Sequence, residues 1–452
     1  MDLSCKTVMV IGLGKSGADL VEFLDRHAKK TIAFDRNVSL ADIYPDRYPN
    51  IGFYFGIDPS GEEEADLVVI SPGIPLDLPF VQRFQERGIE LIGEVELAYR
   101  MTPGRFIGIT GTNGKTTTTA LTGELFRNAG SDTRVVGNIG RPIISEVENS
   151  DENTIFVTEL SSFQLETIKE FRCHVAAIIN ITPDHLNRHK TMENYAEIKS
   201  RIFANQTEED LVIVNLDDEL SSAHAKRFDA QKIYVSVNKN LSDLSPSIYI
   251  EDDRVIYSNQ GEKRTIAILD EIFLKGKHNY ENVLIATGIA IAFDLPDELI
   301  AQTLHDFKGV AHRLEFVREI DGVDFVNDSK GTNPDASIKA LEAIGKDIIV
   351  IAGGMDKRSS FDGFVEAFAN RVKSAILLGE TRDVLAQTLD RKGLSNYFVV
   401  KDMEEAVKKA YELAQSGDTV LLSPACASWD MYSCFEERGE HFKKIVNELE
   451  EL

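Results

Sequence analysis

The chain has 452 residues, of which 43 % are hydrophobic and 27 % charged, with a formal net charge of −25; this is the make-up of a folded protein of about three domains. So large an acidic excess excludes a nucleic-acid binder, since phosphate contacts need a basic surface. No apolar run approaches the roughly 18 residues of a membrane span and the N-terminal stretch lacks the features of a secretory signal, so a cytoplasmic protein without a membrane partner is expected.

Residues 8–11 form an apolar, strand-like run that enters Gly12-x-Gly14-x-x-Gly17, and a helical pattern follows through residue 24. A second strand at 31–34 ends on Asp35, and further strands are predicted at 66–70 and 90–92. This alternation of β and α marks a first domain. Pro103-Gly104 lies in a connector at 101–104. A second series then begins, with strands at 106–110, 154–158, 174–180 and 211–215, small antiparallel strands within 240–275, and a helix at 278–293. The third series places strands at 324–327, 347–352, 374–378, 397–400 and 419–423. Such alternation predicts an α/β protein with mostly parallel sheets, whose ligands lie outside the carboxyl ends of the strands. The predicted domains are 1–97, 98–300 and 301–452. The cysteines Cys5, Cys173, Cys426 and Cys434 form no CxxC pair and are expected as reduced packing residues.

The sharpest motif is Gly108-Ile-Thr-Gly111-Thr-Asn-Gly114-Lys115-Thr116. Between a strand and a helix, its glycines let backbone N–H groups turn inward on phosphate oxygens, and the helix N-terminus adds partial positive charge. The strict P-loop spacing fails by one place, because Ile109 stands where the first glycine belongs; the strand–loop–helix context restores the reading. Gly111, Thr112, Asn113, Gly114, Lys115, Thr116 and Thr117 are therefore the predicted ATP-binding run, with Lys115 on the terminal phosphates and the Thr116 hydroxyl on Mg²⁺. A phosphate loop needs a carboxylate for its metal at the end of a neighbouring strand. Glu159 stands there, and His185 follows the next strand as a second candidate ligand. His185 and His189 are four apart on a loop with no Glu between them, which argues against a zinc-protease motif. Gly12-x-Gly14-x-x-Gly17 with Asp35 fits a dinucleotide fingerprint, with the acid on a ribose hydroxyl. The same architecture holds other nucleotide diphosphates, so NAD, another nucleotide and a purely structural turn stay open on these residues alone.

Taken together, Gly111-Thr-Asn-Gly-Lys-Thr116, Glu159-Leu-Ser-Ser, Asn180-Ile-Thr-Pro-Asp-His185, His278-Asn279, Ala311-His-Arg-Leu-Glu315 and Asn327-Asp-Ser-Lys-Gly-Thr-Asn333 resemble the Mur ligase family over essentially the whole chain. Gly353-Gly-Met-Asp-Lys357, the run from Leu422 to Asp430 and Phe435-Glu-Glu-Arg-Gly439 are similar to its D-glutamate-adding branch. The resemblance implies a Rossmann-like first domain, a P-loop ATPase-like second and a Rossmann-like third. It implies an ATP-dependent amide ligase acting on UDP-N-acetylmuramoyl-L-alanine and D-glutamate, acting as a monomer, with ATP and two Mg²⁺ ions. It also turns the first glycine motif toward a UDP-sugar rather than NAD.

The same resemblance implies roles residue by residue. Lys115, Glu159, His185, Lys199 and Lys330 serve the reaction, and Thr116, Glu159, His185 and Lys199 serve the metals. By residue type Lys199 reads as an exposed helical lysine; the resemblance makes it N-carboxylated (carbamylated) and metal-binding. Asn279, Arg313 and Asp328 are implied at the nucleotide, with His312 beside them. Asp35, Gly73, Asn138 and Gln164 are implied at the UDP-substrate, and Thr332, Lys357, Ser428 and Phe435 at D-glutamate. Trp429 matches in position but reads equally well as packing.

Overall fold

Parallel strands covered on both faces read as unbroken apolar runs, and several such runs become the centres of three sheets. In the computed structural model, which describes residues 1–14, 17–355 and 360–449, the first sheet comprises β1 (Thr7–Ile11), β2 (Lys30–Asp35), β3 (Gly52–Phe55), β4 (Leu67–Ile70) and β5 (Glu90–Ile92). Its order is β3-β2-β1-β4-β5, and every neighbouring pair is parallel. Val8 to Val10 and Leu67 to Val69 are fully buried; each such aliphatic side chain stabilises the fold by about 1.5–3 kcal/mol.

The second sheet comprises β6 (Arg105–Thr110), β7 (Thr133–Gly137), β8 (Ile155–Glu159), β9 (Val175–Ile178), β10 (Leu211–Asn215), β11 (Gln231–Ser236), β12 (Ser247–Glu251), β13 (Arg254–Asn259) and β14 (Glu262–Ile268). Its order is β14-β13-β12-β11-β10-β9-β6-β8-β7. Only the β12-β13-β14 meander is antiparallel, and β12 joins the parallel part through β11. The region 240–275 thus extends the sheet rather than standing apart from it. The third sheet comprises β15 (Glu315–Ile320), β16 (Val323–Asn327), β17 (Ile348–Ala352), β18 (Val372–Leu377), β19 (Tyr397–Val399) and β20 (Thr419–Leu422), in the order β15-β16-β20-β17-β18-β19. Only β15–β16 is antiparallel there.

Each sheet with its covering helices makes one α/β domain, three in all, and the chain divides into two compact units, Met1–Phe307 and Lys308–Leu452. The first unit holds the first two sheets. In both of these sheets the strand order reverses beside a central strand, β1 in one and β6 in the other. A crevice opens at such a switch point, outside the carboxyl ends of the strands. Gly12 follows β1 there, and Gly111 follows β6. Gly12 has φ +87°, and a Cβ on it would lie 2.7 Å from Cβ of Ser71; only glycine lets the two loops meet. No helix among the described residues is long and apolar enough to cross a membrane. Cys173 and Cys426 are buried, while Cys5 is exposed.

Candidate active site

The phosphate loop is built as its sequence demands. β6 delivers the chain to Gly111, and Gly114, in the left-handed region at φ +81°, turns it into the helix Lys115–Asn128. A Cβ on Gly114 would stand 2.2 Å from Oδ1 of Asn282, so the loop is pressed against the helix Lys277–Ala292. Asn282, which also accepts a hydrogen bond from the Thr118 hydroxyl at 3.1 Å, is a site residue the sequence reading missed; its spacing of three from Asn279 on one helix face was the available signal. From the next strand over, Asn180 braces the loop with its carbonyl on Thr112 N and its side-chain oxygen on Asn113 N, both at 2.9 Å.

Lys115 turns its ammonium back onto the carbonyls of Gly111 and Thr112, each at 2.8 Å. Lys199 reaches the same Gly111 carbonyl at 2.8 Å and the Thr110 hydroxyl at 3.3 Å. The reading of Lys199 as an exposed helical lysine is corrected here. It lies in the last turn of the helix Met192–Ser200 and is 1 % exposed, because its side chain runs inward to Thr110 at the end of β6 and to Gly111. Burial, and then the charge of Lys115, push its ammonium well below the usual lysine range.

Glu159 ends β8 and is 2 % exposed. Asn138 donates its amide N–H to Oε1 at 2.8 Å and its backbone N–H to the Glu159 carbonyl at 2.9 Å. Oε2 is buried without a hydrogen-bond partner. A buried carboxylate oxygen left bare is costly unless something binds it, and with the buried Thr116 hydroxyl it supplies oxygen donors of the type Mg²⁺ prefers. Among the described residues no three His, Cys, Asp or Glu side chains converge on one point. His185 sits at φ +52° at the head of a short turn, its ring 4.9 Å from that of Phe163.

A cleft of about 300 Å³ gathers much of this: Gly73, Lys115, Asn138, Gln164, His185 and Lys199 all line it. Glu159, Thr116, Asp35 and Asn279 are not among its lining residues. Asp35 accepts from Leu13 N on Oδ2 at 2.5 Å and from Asn37 N on Oδ1 at 2.7 Å, fixing the glycine turn. Asn279 donates to the Lys275 carbonyl at the start of its helix. Gln164 lines the cleft, yet its side-chain oxygen accepts from Ser161 N and Oγ at 2.9 Å, which caps the turn after Glu159. Thr117 lies in the first turn of the helix Lys115–Asn128.

In the second unit, Asp328 follows β16. It accepts from the Ser423 hydroxyl at 2.8 Å and Leu314 N at 3.3 Å, and burial pushes its carboxyl up to about 6. Lys330 N donates to the His312 carbonyl, and Thr332 N to the Lys330 carbonyl, so Asp328, Lys330 and Thr332 share one turn, with Arg313 next to His312. Asn327 joins His312 to Glu315. Ser428 is buried, with its carbonyl accepting from Met431 and Tyr432 N–H. Phe435 opens the helix Phe435–Glu448 and its carbonyl accepts from the Ser329 hydroxyl at 2.8 Å. Trp429, which the sequence left open between a site role and packing, is 62 % exposed. Lys357 lies outside the described residues. Arg438 was missed: it is 3 % exposed and grips Ser329 Oγ, Ser329 O and Cys426 O.

The model of the MurD-like Mur ligase N-terminal domain matches residues 6–93, that of the Mur ligase middle domain 109–290, and that of the Mur ligase glutamate ligase domain 312–426. A UDP-N-acetylmuramoylalanine--D-glutamate ligase from Alkaliphilus oremlandii is 48 % identical over 99 % of this chain and 100 % of its own. An enzyme of the same name from Clostridioides difficile is likewise 48 % identical over 99 % of this chain and 100 % of its own. Among solved structures, a UDP-N-acetylmuramate-alanine ligase from Thermotoga maritima shares the fold, with a TM-score of 0.55 at 17 % identity over 98 % of this chain and 99 % of that one. With all three domain models matched in order and near-half identity held from end to end, the chain belongs to the Mur ligase family.

Proposed function

We propose that the chain joins D-glutamate to UDP-N-acetylmuramoyl-L-alanine at the expense of ATP, in cytoplasmic synthesis of the peptidoglycan precursor. The observation that carries the reading is the meeting of Lys115 and Lys199 at Gly111, beside Glu159 with its bare buried oxygen. This is a cation-rich phosphate loop facing a carboxylate that wants a metal. The 48 % identity with ligases of that name supports the choice of substrates.

A carboxylate is a poor electrophile with a poor leaving group, so the terminal carboxylate of the UDP-substrate first takes the γ-phosphoryl group of ATP, releasing ADP. The amine of D-glutamate then attacks the acyl carbon, and phosphate leaves from the tetrahedral intermediate. Charge builds between crowded anions in both steps, so preorganised cations supply much of the rate. Lys115 leaves the loop carbonyls for the terminal phosphates. The loop amides, braced by Asn180, cradle the phosphate oxygens, while Asn279, Arg313 and Asp328 serve the rest of the nucleotide. Mur ligases use ATP and Mg²⁺. In this chain Thr116, Glu159, His185 and a carbamylated Lys199 would hold Mg²⁺ at two sites, where it supplies charge neutralisation of the phosphates. Asp35, Gly73, Asn138 and Gln164 bind the UDP-substrate, Lys330 meets the transferring phosphoryl group, and Thr332, Lys357, Ser428 and Phe435 hold D-glutamate. The domains responsible are 1–97, 98–300 and 301–452, and the enzyme works as a monomer.

The deciding assay is ATP-dependent phosphate release with UDP-N-acetylmuramoyl-L-alanine and Mg²⁺, run in parallel with D-glutamate, L-glutamate and other amino acids. Release with D-glutamate alone, and a product heavier by one glutamyl residue, is the expected result. Turnover only with a different amine would overturn the assignment of Thr332, Ser428 and Phe435.

A further inference from the structure

Glu94 stands in the wall of the cleft that also contains Gly73, Asn138 and Lys115, yet it has no place in the chemistry above. It begins the helix Glu94–Met101 and is 7 % exposed. Its carboxyl accepts from Ile144 N at 2.7 Å and from the neighbouring Ile143 N–H, at the start of the turn Ile143–Glu146. These are amide partners only. Among the described residues no lysine, arginine or histidine pairs with it, and the charge that bears on it is the like charge of Asp19, from the helix Gly17–His27. Of the other charged groups on the elements around it, Glu96 and Arg100 pair with each other on its own helix. Glu146 pairs with Arg141. Lys115, Asp184, His185 and Lys199 line other parts of the cleft. A carboxyl so buried and so poorly compensated has two ways to exist, and burial pushes its titration up to about 7.

We propose that Glu94 is a substrate-reading residue that takes up a proton as the anionic UDP-substrate enters the cleft, and in that protonated form donates its O–H to an oxygen of the substrate. This rests on the reading that the UDP-substrate occupies this cleft. The physical cause is direct. A diphosphate brings negative charge and expels water, and both disfavour a second, unpaired anion in the wall. The proton comes from solvent and goes onto the carboxylate, so a group that would repel the ligand becomes a hydrogen-bond donor to it.

The test is titration calorimetry of the full chain with UDP-N-acetylmuramoyl-L-alanine near neutral pH, in buffers of different ionisation enthalpy. About half a proton should be taken up per ligand bound, since a group titrating at about 7 is about half protonated beforehand. Affinity should fall as pH rises above neutral. Glu94→Gln keeps the acceptor for Ile144 and supplies a fixed donor; it should abolish the uptake and flatten the pH dependence. Infrared difference spectra of the wild type supply a second readout, in which a protonated-carboxyl band should grow on adding the UDP-substrate. Binding without that band, or uptake unchanged in Glu94→Gln, overturns the proposal and leaves the cleft assignment intact. Absence of binding to the wild type would instead overturn the assignment of the cleft to the UDP-substrate, and this proposal with it.

Discussion

Lys115 and Lys199 donate to one and the same acceptor, the carbonyl oxygen of Gly111, each at 2.8 Å. Two ammonium groups on one carbonyl are a strained arrangement, and Lys199 carries the larger share because it is the more deeply buried. Its folded-state titration is lowered by burial and then by Lys115, whereas the unfolded chain protonates it at the ordinary 10.5. For a lysine lowered in this way, folding loses stability as pH falls from the unfolded value toward the folded one, and the loss persists below.

Lys199→Met removes this burden together with the proposed metal-binding group. In carbon-dioxide-free buffer the variant should melt several degrees above the wild type at neutral pH, and the gap should narrow as pH is raised toward about 10. Its ligase activity should fall, since relaxing a strained functional residue trades activity for stability. Calorimetry across that pH range decides the first part; a gap that stays constant would mean that Lys199 titrates alike in the folded and unfolded chain.

The contact between Asn138 and Glu159 leads to a second prediction. Among the described residues Asn138 alone hydrogen-bonds the Glu159 side chain, and it also donates to its backbone carbonyl. Asn138→Ala keeps the backbone bond and removes the side-chain one, leaving both oxygens of a buried carboxylate bare. The expected cost is about 1–3 kcal/mol of stability. Saturating Mg²⁺ and ATP analogue should recover part of it, because a cation would satisfy the carboxylate. Thermal melts with and without Mg²⁺ and the analogue measure the recovery, and equal shifts in variant and wild type would count against Glu159 as a metal ligand.

How far the sequence carried depended on whether a role was local. The switch-point loops after β1 and β6 were readable because strand, glycines and helix lie within about ten residues, and the pattern itself specifies the geometry. Lys199 falls at i+7 on the face that Met192, Tyr195 and Ala196 begin in the helix Met192–Ser200, but what it meets there, Thr110 and Gly111, lies some ninety residues upstream. Its role came from resemblance alone. Glu94 and Glu96 carried no signal because an acid in the first turn of a helix is commonplace; only the fold shows that both are buried. Strands β3 and β15 were passed over because their side chains are half exposed and lack the apolar runs of the central strands.

Glu96 illustrates such a long-range role. It is fully buried, and its carboxylate accepts from Lys169 N at 2.7 Å, Glu170 N at 2.9 Å, Phe171 N at 3.0 Å and Arg100 Nε at 2.7 Å. Three successive amides aimed at one carboxylate form an anion-binding nest, which ties the helix after β5 to the turn before β9. Glu96→Ala leaves these amides and the Arg100 guanidinium without a partner, a loss of about 3–5 kcal/mol. Denaturant titration should show a lowered midpoint in Glu96→Ala and a smaller loss in Glu96→Gln, which keeps one acceptor oxygen.

Arg438 plays the corresponding part in the second unit, and there stability and specificity meet. Its guanidinium holds Ser329 Oγ at 2.9 Å, Ser329 O at 2.8 Å and Cys426 O at 3.1 Å. Ser329 in turn donates to the Phe435 carbonyl. One planar fork therefore fixes the turn after β16, the loop that runs on to Ser428, and the start of the last helix. Burial lowers its titration to about 10, so it stays charged at neutral pH and keeps all its donors. Arg438→Lys keeps a charge but not the fork, and a point-like ammonium cannot span three acceptors on two segments. The variant should lose about 2 kcal/mol of stability. If the loop ending at Ser428 and Phe435 forms the D-glutamate pocket, the KM for D-glutamate should rise about tenfold while the KM for the UDP-substrate holds. Steady-state kinetics on the folded variant separates the two effects. A melting point lowered with no change in the D-glutamate KM would leave Arg438 a structural residue and move the amino-acid pocket away from this loop.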